Sequence, residues 1–346
     1  MTTYRIAFAL VALNSAALAD TWHVPDDFPG IQEALDVVPS GDTVLVGPGT
    51  YAAPFVFQTN CKLISTDGPA TTIIDGSSTS ASLVEMIHKD ENALLQGFTI
   101  RAADGGTSVS QDGTLIVGGG LRILAGGPVI DNCVFEDNHS GYGGAIHSGG
   151  STATISNCTF NGNSASANGG AVLIINGGVP ISNCTFTANH STLDGGALHV
   201  VNGEHSLTDC VVDGNTSIDG AGISWHGAED GFPLPIVRCS VINNEAVSIG
   251  GGLRGIAGRP PVVFVDSTVC DNSPDEFDSP WIDDGGNTLC ICPPDINGNG
   301  SVDVTDVLVV VAQWGTSGPQ GDINRDGIVN VVDLLETISG FGPCEM

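Results

Sequence analysis

The chain repeats itself with a period too short for an independently folded unit, and this limits the folds open to it. Asn132-Cys133-Val134-Phe135 recurs as Asn157-Cys158-Thr159-Phe160 and as Asn183-Cys184-Thr185-Phe186. Asp209-Cys210-Val211-Val212 and Arg238-Cys239-Ser240-Val241 follow, so the cysteines stand 25, 26, 26 and 29 residues apart. A sixth copy has Ser267 in the cysteine slot. Five residues after each cysteine comes an asparagine: Asn138, Asn163, Asn189, Asn215 and Asn244. A glycine pair comes next, as Gly143-Gly144, Gly169-Gly170 and Gly195-Gly196, then as the variants Gly220-Ala221-Gly222 and Gly250-Gly251-Gly252.

A unit of this length, with two or three short β-like runs and no helical stretch, cannot bury a core alone. Stacked units can, because each strand pairs with its counterpart in the next coil about 4.8 Å away. Like residues then line up in columns. The Cys and Phe/Val columns are expected to face inward. The Asn column is expected at a bend, bonding up and down the stack and tolerating a left-handed backbone. The Gly pairs permit sharp corners.

Composition fits many tight turns between short strands: 48 glycines and only 5% aromatic residues. Lys+Arg is 9 against Asp+Glu 39, a formal net charge of -30. That excludes nucleic acid as a partner, since its phosphates need Lys and Arg. The N-terminus reads as a secretory signal over residues 1–19. Arg5 supplies the positive start, Ile6 to Leu13 a short apolar run, and Ala17-Leu18-Ala19 a cleavage site before Asp20. The expectation is an exported protein, extracellular or at the cell surface, with no membrane span.

The repeat resembles the right-handed parallel β-helix of the pectin-lyase-like superfamily. Ile31-Gln32-Glu33-Ala34-Leu35, Gly41-Asp42-Thr43-Val44-Leu45-Val46 and Pro48-Gly49-Thr50-Tyr51 look like its capping helix and first coil, and Gly97-Phe98-Thr99-Ile100 like an early coil. The resemblance implies an all-β solenoid over residues 20–288. The cysteine column has two readings, disulfides between coils or a stack of buried thiols. In-register parallel side chains seldom reach disulfide geometry, which favours thiols. Cys270, Cys290, Cys292 and Cys344 lie outside the column and are the better disulfide candidates, with Cys292 and Cys344 placed to clasp the C-terminal segment.

After a linker at 289–294 marked by Pro293-Pro294, residues 295–346 carry a second, longer-ligand pattern. Asp295, Asn297, Asn299, Gly300, Asp303 and Asp306 fall at positions 1, 3, 5, 6, 9 and 12 of an EF-hand-type loop, with Ser301 offering its carbonyl at position 7. The set recurs 27 residues on as Asp322, Asn324, Asp326, Gly327, Asn330 and Asp333, with Ile328 at position 7. Hard oxygen ligands at these spacings point to two calcium ions. After each loop, Val307, Leu308, Val311, Trp314 and Gly315 match Leu334, Leu335, Ile338, Phe341 and Gly342, and helical spacing puts the bulky four on one face. Two loop-helix units with Asp at position 12 resemble a type I dockerin. That implies a cohesin-like partner, although positions 10 and 11 are Val304-Thr305 and Val331-Val332 rather than the usual Ser-Thr.

Many proteins of the β-helix fold cleave acidic polysaccharides, with carboxylates and an Arg or Lys, or with paired Asp residues. No Asp-Asp pair lies inside a repeated strand here. Aligning units on the Gly pairs gives one suggestive outward column: Arg122, His147, Leu173, His199, Ser224 and Arg254, with His226 two positions beyond Ser224. Asp194 and Asp219, just before the Gly corners, border it. The residues between face inward: Leu121, Ile146, Val172, Leu198, Ile223 and Leu253. The stripe is a candidate site for an anionic polysaccharide, with His as acid or base. The leading reading is a polysaccharide-associated β-helix protein tethered by a dockerin-like module. A lyase or hydrolase, or a non-catalytic surface protein, are the alternatives. A convergent carboxylate–Arg cluster would favour the enzyme, aromatic platforms a binder, and featureless columns a structural role.

Overall fold

The computed structural model describes residues 19–79, 81–105, 118–228, 231–256, 259–278, 281–289, 295–296, 301–316, 321–323 and 327–343. The repeat winds into a right-handed parallel β-helix. Among the described residues, three parallel sheets of 11, 10 and 8 strands run along it, with a fourth of 6 short strands. Every pairing within them joins a strand to its counterpart one coil away. A helix, α1 (Ile31–Leu35), turns Ile31, Ala34 and Leu35 onto the first coils, as its apolar spacing predicts.

Stacking in register makes the columns. Phe135, Phe160 and Phe186 stack face to face, with centroids 5.0 and 4.6 Å apart and planes within 5°. The expected inward residues Leu121, Ile146, Val172, Leu198, Ile223 and Leu253 are fully buried. Cys133, Cys158, Cys184, Cys210 and Cys239 are buried free thiols, and so is Cys61. Cys133, Cys158, Cys184 and Cys210 each point at backbone carbonyls of their own and the preceding coil, and Cys239 at the Val237 carbonyl of its own; Cys158 Sγ lies 3.0 Å from the Ser156 carbonyl. Hydrogen bonding to Cys133 and Cys184, together with burial, pushes the Cys158 thiol well above its ordinary pKa. Cys270 is disulfide-bonded. Cys290, Cys292 and Cys344, and with them the proposed clasp, lie outside the described residues.

The asparagine ladder is continuous. Asn138, Asn163, Asn189, Asn215, Asn244 and Asn272 are buried, and each of the first five donates Nδ2 to the Oδ1 of the next at 2.8–3.0 Å. Each Nδ2 also donates to a carbonyl of the preceding coil, such as Asn189 to Phe160 at 3.1 Å. One expectation is corrected here. The left-handed residue at this bend is not the ladder asparagine but the one before it: Asp137, Gly162, Ala188, Gly214, Asn243 and Asp271. The ladder asparagine keeps an ordinary backbone and spends its amide on the stack. A second left-handed column, Asn132, Asn157, Asn183, Asp209, Arg238 and Asp266, immediately precedes the cysteine slot.

The glycine pairs divide their work. The first glycine has positive φ, 64° at Gly143 and 70° at Gly169. The second is required by close approach: a Cβ on Gly144 would stand 2.3 Å from the Gly170 carbonyl oxygen.

The C-terminal segment contains α2 (Val304–Ala312) and α3 (Val331–Ser339). Ser301–Val302 pairs antiparallel with Gly342–Pro343, tying the start of the module to its end. The 27-residue symmetry holds in detail. Asp303 and Asn330 cap the two helices, and Asp306 and Asp333 close the capping boxes from N3. The matched apolar residues do share a face, but that face is exposed: Leu308 and Leu335 are each 60% exposed, with Val311, Trp314, Ile338 and Phe341 beside them. The buried positions are Asp306 and Val310 on α2, and Asp333 and Thr337 on α3. Among the described residues no helix is long and apolar enough to cross a membrane.

Candidate functional site

The sheet built from Val84–Lys89, Leu121–Gly126, Ile146–Ser151, Val172–Gly177, Leu198–Val201, Ile223–His226 and Leu253–Gly255 carries the predicted column in register. Glu85 pairs with Arg122, Arg122 with His147, His147 with Leu173, Leu173 with His199, His199 with Ser224 and Ser224 with Arg254. The expectation of an open, outward stripe does not hold along its length. His147, Leu173, His199 and Ser224 are buried, and Leu173 divides the column into two polar groups.

The first group is Glu85, Arg122 and His147. Arg122 Nη1 reaches Glu85 Oε1 at 3.4 Å, so its charge is met within the sheet. Burial, then the nearby Arg122 cation, lowers His147 to about 4. Its Nδ1 and the Arg122 Nε are buried without a hydrogen-bond partner.

The second group draws on three coils. Asp194 and Asp219 form an isolated parallel bridge just before their glycine corners. Arg254 extends back over both: its Nη1 is 2.6 Å from Asp194 Oδ1 and 3.5 Å from Asp219 Oδ2. These side chains keep 19–23% exposure, so solvent reaches them. His199 and His226 meet edge to face with centroids 4.7 Å apart, and Ser224 Oγ lies 3.3 Å from His226 Nε2. Burial, then His226 and Arg254, lowers His199 to about 3. Burial also lowers His226, where Asp194 acts in the opposite direction and Arg254 and Arg259 in the same one. Both imidazoles are therefore neutral at pH 7. Burial raises Asp278, whose charge also interacts with Asp275, Arg254 and Asp219. His199 Nδ1 and Asp219 Oδ1 are buried without a partner.

All nine residues of the stripe and its border named from the sequence thus lie on or beside this sheet, and Asp194, Asp219, His199, Ser224, His226 and Arg254 form the second group. The carboxylate pair is not adjacent in sequence, because a solenoid makes pairs by stacking, here 25 residues apart. A separate cleft at the turns leaving this sheet is lined by Pro180, Glu204, His205, Phe232 and Pro235. Its His205 is structural: Nδ1 accepts from the Val179 amide at 3.0 Å and Nε2 lies 2.6 Å from the Asn202 carbonyl.

Of the calcium ligands expected in the C-terminal loops, Asn297, Asn299, Asn324 and Asp326 lie outside the described residues, and Ser301 is described by its backbone alone. Asp306 and Asp333 at position 12 are fully buried carboxylates in a segment whose sequence has one basic residue, Arg325. Asp306 accepts from the Ile296 and Asp303 amides at 2.8 Å. Asp322 at position 1 accepts from the Gly327 amide at position 6, also at 2.8 Å. The Ile328 carbonyl at position 7 accepts from the Asn330 amide at position 9. Buried carboxylates beside further oxygen donors suit a hard cation.

No curated protein matches the sequence. Among solved structures, pectin methylesterase PemA from Erwinia chrysanthemi is 11% identical, over 69% of this chain and 80% of that one, with TM-score 0.42. A pectin methylesterase in complex with a hexasaccharide is 9% identical, over 79% and 92%, with TM-score 0.45. ORF18 of Geobacillus virus E2 is 14% identical, over 77% and 56%, with TM-score 0.39. The family described as right handed beta helix region matches residues 59–256, more than half of the sequence, and the chain belongs to that family.

Proposed function

We propose that this protein is an exported polysaccharide-active β-helix protein whose reactive centre is the Asp194–Asp219–Arg254 cluster with His199 and His226. One observation carries the reading: a guanidinium from one coil clamps carboxylates from the two coils before it, in a partly open position. This is the convergent carboxylate–Arg arrangement that distinguishes an enzyme from a binder or a spacer. The resemblance to pectin-lyase-like proteins points to polysaccharide as the substrate class, without fixing its charge. Asp219, the less tightly held carboxylate, is the group suited to proton transfer, while Arg254 and Asp194 stabilise charge. Hydrolysis fits better than elimination, because Arg254 Nη1 is committed to the two carboxylates and burial weakens both imidazoles as bases.

Charge narrows the substrate further. At -30, with Arg122 and Arg254 both neutralised, the protein repels a fully ionised polyuronate. A neutral or weakly charged glycan, or a polyuronate screened by divalent cations, suits it better. The C-terminal segment is proposed to be a dockerin-like module that folds around two calcium ions. Its duplicated, exposed apolar stripe, Leu308, Val311 and Trp314 with Leu335, Ile338 and Phe341, supports docking to a cohesin-like partner.

The experiment is a screen of neutral and uronic-acid polysaccharides, with and without calcium, scored separately for new reducing ends and for unsaturated products. New reducing ends lost in Asp219→Asn and Arg254→Ala support hydrolysis. Unsaturated products would replace it with elimination. No product from any glycan leaves the binding or structural alternatives.

A further inference from the structure

We propose that Asp194, His199 and His226 bind one divalent transition-metal ion, zinc by ligand type. One ligand atom from each of the three lies within 4.8 Å of the other two. A tetrahedral zinc with bonds of about 2.0–2.1 Å spaces its ligands roughly 3.3 Å apart, so modest side-chain rotation closes the set. Two imidazoles and one carboxylate select a borderline metal over calcium or magnesium, which take oxygen ligands. The site is therefore chemically distinct from the C-terminal loops.

A second observation is independent of the spacing. His199 is 3% exposed, and its Nδ1 has no hydrogen-bond partner; Asp219 Oδ1, on the adjoining coil, has none either. Buried polar atoms are nearly always paired, because an unpaired one forfeits its hydration with no return. A metal ion, with its remaining coordination positions filled by water, would engage the imidazole directly and give Asp219 a donor. Arg254 takes one oxygen of Asp194 and leaves the other for the ion. Its positive charge opposes the ion, so the expected metal is exchangeable rather than permanently held. Three protein ligands leave positions open, the pattern of a reactive rather than a structural zinc site.

The site lies within the proposed reactive cluster but does not depend on its activity, so its test reads binding. The full chain is stripped with chelator, saturated with calcium to fill the C-terminal loops, and titrated with cobalt(II) and then zinc. The expected result is one equivalent of cobalt with visible ligand-field absorption and no thiolate charge-transfer band, displaced by zinc. His226→Ala, a half-buried position, and His199→Ala should each weaken binding at least tenfold, while Asp306→Ala should not. Zinc should also raise the melting temperature of the unmutated chain, a reading that needs no variant. Absence of a bound equivalent, a thiolate band, or unchanged binding in folded His226→Ala would overturn the site. A chain that holds zinc but cleaves no glycan would defeat the proposed hydrolysis and leave the metal site standing.

Discussion

Arg254 Nη1 lies 2.6 Å from Asp194 Oδ1 although sixty residues separate them, because the Arg side chain spans two coils of the solenoid. The pair is partly solvated, so its coupling energy is expected to be modest, on the order of 1 kcal/mol. A double-mutant cycle of Arg254→Ala and Asp194→Ala in urea should read that coupling. Arg254→Ala alone should cost more than the coupling, since it leaves Asp194 and Asp219 facing one another. Equal stability of wild type and Arg254→Ala would mean that the clamp has no structural role.

The two buried stripe histidines make stability depend on pH. In the metal-free chain His147 and His199 have folded values of about 4 and about 3, below the ordinary value near 6.5. Below that ordinary value the unfolded chain binds protons that the folded chain refuses. Their contribution is thus fully present above about pH 6.5 and is lost as pH falls towards 4. The loss is of the order of a few kcal/mol per residue at most. Glu276 acts in the opposite direction: burial raises it to about 7, so its contribution is present below the ordinary value and is lost as pH rises through 7. The steepest acid loss is expected below pH 4.5, where Glu276 no longer compensates. His147→Leu, which copies Leu173 in the next coil, should flatten the acid limb of a plot of unfolding free energy against pH.

Asn189→Ala should be among the most damaging single changes in the repeat. Asn189 Oδ1 accepts from the Asn163 amide and side chain at 3.0 Å, and its Nδ2 donates to Phe160 and Asn215. Truncation leaves several buried groups unpaired, at about 1–3 kcal/mol each. A loss of roughly 3–5 kcal/mol in equilibrium denaturation is expected. Asn189→Asp should be no better, because a carboxylate cannot donate to either acceptor. A loss under 1 kcal/mol for both would show that the ladder is not a principal support.

The thiol column predicts a chemical signature. Among the described residues six free cysteines are buried; these should resist a bulky thiol reagent in the native protein, then react together on unfolding. Reaction of one of them in native conditions, with the rest silent, would mark that coil as one that opens locally.

Calcium should bind with a stoichiometry of two per chain, and Asp306→Ala and Asp333→Ala should each remove one. Both residues also complete helix capping boxes. Asp306→Asn, which can keep a capping hydrogen bond but lacks the charge, separates the two roles: it should lose calcium while retaining more helix than Asp306→Ala. Calorimetric titration of the full chain reads the stoichiometry. Wild-type binding of no calcium would leave the carboxylates as caps alone.

Much of the fold was legible in the sequence. The 25–29-residue spacing of Cys133, Cys158, Cys184, Cys210 and Cys239 could be satisfied only by stacking, since one unit buries nothing by itself. Once stacked, register followed from alternation, and so did the inward set from Leu121 to Leu253 and the order of the Arg122–Arg254 column. Cα–Cβ direction alternates by two along a strand and leaves no other solution. Local chemistry was less legible at the bends. Sequence placed the left-handed backbone on the ladder asparagines, yet the residue before each one carries it, because a side-chain amide pinned by hydrogen bonds on both sides fixes its own backbone.

Only the tertiary structure decided what the stripe is. Sequence could say that His147 and His199 share a face, but not that the face is buried there, because burial depends on what the surrounding turns cover. Sequence could place Asp194 and Asp219 at the border, but not join them to Arg254, since side-chain reach across coils is set by rotamer and not by spacing. The periodicity determined the solenoid and its columns. Packing across coils determined which members of a column meet, and so turned a loosely drawn stripe into one cluster of two carboxylates, two imidazoles and a guanidinium.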